Sequence, residues 1–229
     1  MDPTFIILGV ILIVLLYILF VYFSVDKELL QEYVHLDDTL DPITDLEKPE
    51  STRYAYGFWI YVNTWDSSMS KTVLEVENNV KIYLDQQTAS LSVEVTTGAQ
   101  YQSTADPIRV SSNFPLQKWV HVIISFDNEF VDCYMDGKLV RSARIYEDFG
   151  GTYLKPSIPP SNASIKLAPV PFDAYLSKLK RWTYPINPQK AYDDYMEGNG
   201  QGGFAGIPVY GLDLKVLKDN ELYKEINVF

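Results

Sequence analysis

The spacing of hydrophobic residues along the chain changes twice. The first pattern is an unbroken apolar run, "FIILGVILIVLLYILFVYF", from Phe5 to Phe23 with no charged residue. At about 1.5 Å per residue it would reach roughly 28 Å, close to the hydrocarbon thickness of a bilayer. It predicts a single transmembrane helix, with Phe5, Leu12, Leu16, Phe20 and Phe23 in lipid and residues 1–4 as a short flank. A cleaved signal peptide fits less well: the basic leading flank and the small-x-small cleavage site are both missing. A buried core helix would show a polar face, and none is visible.

The second pattern, "VDKELLQEYVHL" (Val25 to Leu36), places Leu29, Leu30, Tyr33 and Val34 at helical spacing. It predicts that the anchor helix continues out of the membrane. "DDTLDPITDLEKPEST" follows, and its prolines and acids predict an extended, solvated spacer. Residues 24–53 are therefore expected to be helix extension plus spacer, with His35 as a lone histidine without a special role.

From Tyr54 the period becomes two. In "YAYGFWIYV", Tyr56, Phe58, Ile60 and Val62 share a face, and Trp59 and Tyr61 lie on the other. A strand apolar on both sides is a covered, central one. Val80, Ile82 and Leu84, then Leu91, Val93 and Val95, predict a hairpin turning at 85–88. Val120, Val122, Ile124 and Phe126 share a face, as do Val131, Cys133 and Met135. Asp136-Gly137 between two such runs is a strong hairpin signal, because Gly accepts the positive φ of a type I′ turn. "ASIKLA" and "AYLSKLKRWTY" add strands, and Leu176 and Leu179 break strict alternation, which predicts a bulge. One helix is expected at "NPQKAYDDYMEG", capped by Asn187 and ended by Gly198. A Gly-rich loop and a terminal hairpin turning at Asp219-Asn220 fill 198–229. The fold class is all-β: an antiparallel β-sandwich preceded by a single N-terminal transmembrane helix.

Composition adds limits. Aromatics make up 14% of the chain, with 17 Tyr, and the formal net charge is −11. Such an acidic chain is a poor binder of nucleic acid or of anionic lipid through charge. Cys133 is the single cysteine, so no intrachain disulfide can form, which leans toward a reducing compartment.

"WVHVIISFD" followed by "VDCYMDGKLV" resembles the laminin-G and pentraxin-like group of the concanavalin A-like lectin/glucanase superfamily. "YGFWIYV" resembles its first core strand, and "FDAYLSKLKRWTYPINPQKAYDDY" its closing strand and short helix. The resemblance covers 54–197 and implies a jelly roll. The layout of anchor, acidic spacer and sandwich is similar to that of membrane-anchored minor capsid proteins of large DNA viruses, including chlorella viruses. It implies a structural protein of the virion, at the interface of inner membrane and capsid, with a lipid bilayer and capsid proteins as partners.

The residues that could carry chemistry are few. Glucanases of this superfamily use carboxylates on one strand, spaced as Glu-x-Asp-x-Glu; the nearest match here is Glu75 and Glu77, which read better as a solvated strand face. His121 reads as a packed or surface histidine, and Cys133 as a small core hydrophobe. Asp127, Asn128 and Asp136 are oxygen donors of the kind calcium takes, but they fall at opposite ends of a strand. Turn chemistry accounts for them without a metal, and no cofactor is implied. Trp59, Tyr61, Tyr83 and Trp182 could contact a sugar. Asn162-Ala-Ser164 is a glycosylation sequon, usable only in a secretory lumen. The function expected first is a non-enzymatic tether between a viral membrane and its capsid. A membrane-anchored, lectin-like receptor or adhesin is second, and a glycan hydrolase third.

Overall fold

The computed structural model describes residues 3–23, 27–97, 102–103, 107–145, 155–200, 213–218 and 221–227. Residues 3–7, 20–23, 102–103 and the last two segments are described at the backbone only. Helix α1 (Pro3–Phe23) comes first. The strands are β1 (Leu29–His35), β2 (Arg53–Val62), β3 (Lys71–Val76), β4 (Val80–Leu84), β5 (Leu91–Thr97), β6 (Gln102–Ser103), β7 (Ile108–Ser111), β8 (Trp119–Asp127), β9 (Phe130–Met135), β10 (Lys138–Arg144), β11 (Ile165–Leu167) and β12 (Ala174–Trp182). Helix α2 (Pro188–Met196) follows, and β13 (Asp213–Lys218) pairs with β14 (Glu221–Asn227) as the expected hairpin. The turn at 219–220 and most of the Gly-rich loop lie outside the described residues.

Two antiparallel sheets face each other. One has the order β1-β12-β2-β8-β9-β10, and the other runs β11-β3-β4-β5 with β6 and β7 both on β5. Alternation sends Tyr56, Phe58, Ile60 and Val62 inward from β2, and Val120, Val122, Ile124 and Phe126 inward from β8. They meet Ile82, Leu84, Leu91, Val93 and Val95 of the facing sheet. Cys133 lies in this core, and burial, assisted by the nearby Asp132 charge, pushes its thiol up to about 12. The thiol is protonated and packs as an apolar group.

The turn chemistry matches the sequence. Asp136 and Gly137 both have positive φ, at 46° and 72°, as a type I′ hairpin requires. In β12 the register shifts between Ser177 and Lys180, and Lys178 sits at φ 48°. The extra residue turns Leu176 and Leu179 into the same core, although they are three apart.

The region before Tyr54 departs from expectation. Residues 29–35 are not a helix extension but a strand, β1, paired antiparallel with β12. Leu30 and Val34 pack against the inter-sheet core, while Tyr33 and His35 stack on Tyr175 of β12. The segment fits period two as well as period 3.6, and the free edge of β12 decides between them. Nor is the acidic segment an extended spacer. It straps the open edge of the sandwich: Ile43 bridges to Ile165 of β11, and Leu36 and Leu46 are buried. The Arg181 guanidinium donates to the backbone carbonyls of Glu47 and Lys48.

Helix α1 is apolar all round, and its described large side chains, from Leu8 to Leu19, are 41–67% exposed, Leu12 and Leu16 among them. Those described side chains span 8–19, and among the described residues no helix is long and apolar enough to cross a membrane. The helix backbone itself continues for 21 residues, none of them charged. The side chains of Phe5, Phe20 and Phe23 lie outside the described residues.

Candidate functional site

The outer face of the β1–β10 sheet is divided in two. Along β2, alternation turns Ala55, Gly57, Trp59 and Tyr61 outward in that order. Helix α2 roofs the first three. Its N-cap, Asn187, accepts a hydrogen bond from the Lys190 amide, and Pro188 starts the first turn. Beneath it lies a second, smaller core of Ala55, Ile123, Tyr134, Trp182, Ile186 and Ala191. Gly57 makes room for it: a Cβ there would lie 2.6 Å from the Trp182 ring. Trp59 is covered by Tyr195, whose ring stacks at 5.5 Å.

A charged latch holds the other end of the helix. Asp194 accepts from His121 Nε2 at 2.9 Å and from Lys180 Nζ at 2.8 Å, and Lys180 also donates to Glu197 at 2.6 Å. His121 is fully buried, and its Nδ1 has no hydrogen-bond partner among the described residues. Burial alone would raise the Asp194 pKa. The hydrogen bond from His121, the Lys180 charge and hydrogen bond, and the His121 charge outweigh it and hold the carboxyl below its ordinary range. A fully enclosed histidine cannot reach a substrate, so this cluster fastens α2 to the sheet.

Past the end of α2 the face is open, and an aromatic row crosses four strands. His35 of β1 lies opposite Tyr175 of β12, Tyr175 opposite Tyr61 of β2, and Tyr61 opposite Trp119 of β8. Ring centroids along the row are 4.5, 6.4 and 5.6 Å apart. Tyr33 adds a second ring against Tyr175 at 5.9 Å. His35, Tyr175, Tyr61 and Trp119 are half-buried and Tyr33 is exposed. Tyr61 is tilted by 56° to Tyr175 and by 54° to Trp119, so neither neighbour lies flat on its face. Three strand spacings make the row roughly 14 Å long.

Polar groups edge the row where the chain leaves β2 and enters β12. The Asp173 carboxylate accepts from Asn63 Nδ2 and Thr64 Oγ1, both at 2.8 Å, and His35 Nε2 lies 3.4 Å away. The Thr64 hydrogen bond, then those from Asn63 and His35, outweigh partial burial and hold Asp173 below the ordinary carboxylate range.

The family model described as the concanavalin A-like lectin/glucanases superfamily matches residues 32–191. The chain belongs to that superfamily. The match begins inside β1, so the superfamily domain takes in β1 and the acidic strap. Among curated proteins no relative is found. Two solved structures similar to this concanavalin A-like chain are the botulinum neurotoxin serotype D binding domain and the botulinum neurotoxin type G receptor binding domain. The first is 12% identical with a TM-score of 0.55, over 73% of this chain and 43% of that one. The second is 11% identical with a TM-score of 0.47, over 72% and 42%. This chain thus spans less than half of either, and at such identities the likeness concerns the fold alone.

The sugar-contact residues read from the sequence do not come together. Trp59 and Trp182 are buried under α2. Tyr83 stands on the outer face of the opposite sheet, beside the Lys81 ammonium at 5.4 Å. Tyr61 alone belongs to the row. Its companions Tyr33, His35, Trp119 and Tyr175 are not legible in the sequence, because only the strand register brings them level.

The oxygen donors are likewise apart. Asp127 pairs with Arg53 at 2.8 Å, Asn128 accepts from Thr52, and Asp136 accepts from the His121 amide. Among the described residues no group of three or more His, Cys, Asp or Glu is placed to hold a metal. Glu75 lies opposite Lys81 and Lys166 in the strand register, and Glu77 pairs with Lys166 at 3.8 Å. Asn162 is exposed on a turn.

Proposed function

We propose that the chain is a non-catalytic, membrane-anchored, lectin-like module that binds glycan on the aromatic row of its outer face. The observation that carries this reading is the in-register alignment of His35, Tyr175, Tyr61 and Trp119 on the part of the sheet that α2 leaves open. Sugar sites combine aromatic surface with a few fixed polar groups, and the Asp173, Asn63 and Thr64 cluster supplies those beside Tyr175 and Tyr61. The anchor is α1: an uncharged 21-residue helix covers about 31 Å, and a helix apolar on every face is stable in lipid and costly in water. The absence of catalysis rests on Glu75 and Glu77, each facing lysine rather than a second acid across a substrate cleft.

A second reading, a structural tether between a viral membrane and its capsid proteins, is favoured by one feature of the same row. Tyr33, Tyr175 and His35 lie nearly parallel, with interplanar angles of 15° and 18°, and cover one another's faces. Rigid, edge-on tyrosines suit a protein partner as well as a sugar. The deciding experiment is a glycan array with the detergent-solubilised chain and its Tyr61→Ala variant, beside analysis of what co-purifies on gentle extraction. Glycan binding lost with Tyr61 supports the lectin. An array without signal, with coat proteins co-purifying, replaces it with the tether.

A further inference from the structure

We propose that the aromatic row selects uncharged glycans and rejects sialylated or sulfated ones. The inference rests on the glycan-binding reading above and names the ligand class of that site.

The charges around the row carry the argument. Three carboxylates stand along the side of the row formed by β1 and β12. Asp173 is hydrogen-bonded to Thr64, Asn63 and His35, and those bonds favour its ionised form. Asp37 and Asp38 follow Leu36 in the turn that leaves β1, and both are exposed. At the other end Lys118 precedes Trp119, and its ammonium lies 3.7 Å from Asp136 Oδ2. That pair is close to neutral as seen by a ligand. A pyranose stacked on Tyr61 therefore meets negative potential toward β1 and no net positive charge toward β8. Hydroxyl groups can hydrogen-bond to such a rim, whereas a ligand carboxylate or sulfate there is repelled. The net charge of −11 adds a long-range field of the same sign.

The rejection is electrostatic at an exposed surface, so salt must weaken it; the screening length falls from roughly 30 Å at 0.01 M to about 3 Å at 1 M. The test is binding of the full chain in detergent to one core oligosaccharide in sialylated and desialylated forms, at low and high salt. A parallel titration uses the Asp37→Asn/Asp38→Asn variant, whose substitutions touch exposed side chains only, and a third uses Asp173→Asn. The expected result is binding of the neutral form at least several-fold tighter at low salt. The gap should narrow at high salt and in both variants. Equal or tighter binding of the sialylated form would overturn the inference and leave the glycan-binding reading standing. Binding of neither form would overturn both.

Discussion

The two halves of one sheet face differ in fate, although both carry large aromatic rings. Along β2 up to Trp59 the face lies beneath α2, which seals Trp59 and the Trp182 ring of β12. Beyond the helix, Tyr61, Tyr175 and Trp119 remain half-open. Residue type does not distinguish the halves, since each is rich in large rings. The roof does, and it is held by burial at one end and by three charged groups at the other. An aromatic on a sandwich face thus becomes core or contact surface according to how far a nine-residue helix reaches.

The sharpest way to break this contrast is to cut the latch. Asp194→Ala would take one carboxylate away from the buried Lys180 ammonium and leave His121 Nε2 without its bond to Asp194. The expected loss is about 3–5 kcal/mol in denaturant unfolding, the usual result of removing one partner of a buried pair. Replacing both by apolar groups, Asp194→Leu with Lys180→Met, should recover most of it. Trp182→Ala empties the small core and should cost about 3–5 kcal/mol, with Gly57→Ala costing about 1–3 kcal/mol by overpacking against the same ring. Unfolding followed by tryptophan fluorescence would check both, and values near zero would mean that α2 does not seal the face. In the open half, Tyr61→Ala should cost no more than about 1 kcal/mol of stability while removing ligand binding.

The smallest effect is acid sensitivity. The Asp194 pKa is depressed in the folded chain. Its contribution is therefore complete above the ordinary carboxylate value of 3.8 and is lost as pH falls below that value toward the folded one. Burial of Trp59 and Trp182, followed by fluorescence from pH 6 downward, should hold steady to about pH 4 and weaken below it. A transition above pH 5 would show that another group governs the roof.

Much of the sandwich could be read in the chain because period two is unambiguous where both flanks are turns, as from Val120 to Met135. β1 could not, since Leu30 and Val34 are four apart and satisfy a helix as readily as a strand. Only β12, some 140 residues later in sequence, chooses for them. Helix α2 announced itself through Asn187 and Pro188, which act locally. The latch did not: His121 and Asp194 are 73 residues apart, and nothing near either reveals the other. The aromatic row was hidden for the same reason, because Tyr175 meets Tyr61 only through pairing that follows from the whole topology.

The way β1 enters the sheet also sets how the molecule bears load. Were α1 seated in lipid, as proposed, tension would enter the described sheet at β1 and run along the strand from Leu29 toward His35. Pulled lengthwise against β12, the hydrogen bonds between the two strands are sheared together rather than peeled singly, so the edge strand resists as a unit. An edge strand loaded in this manner is suited to withstand sustained traction.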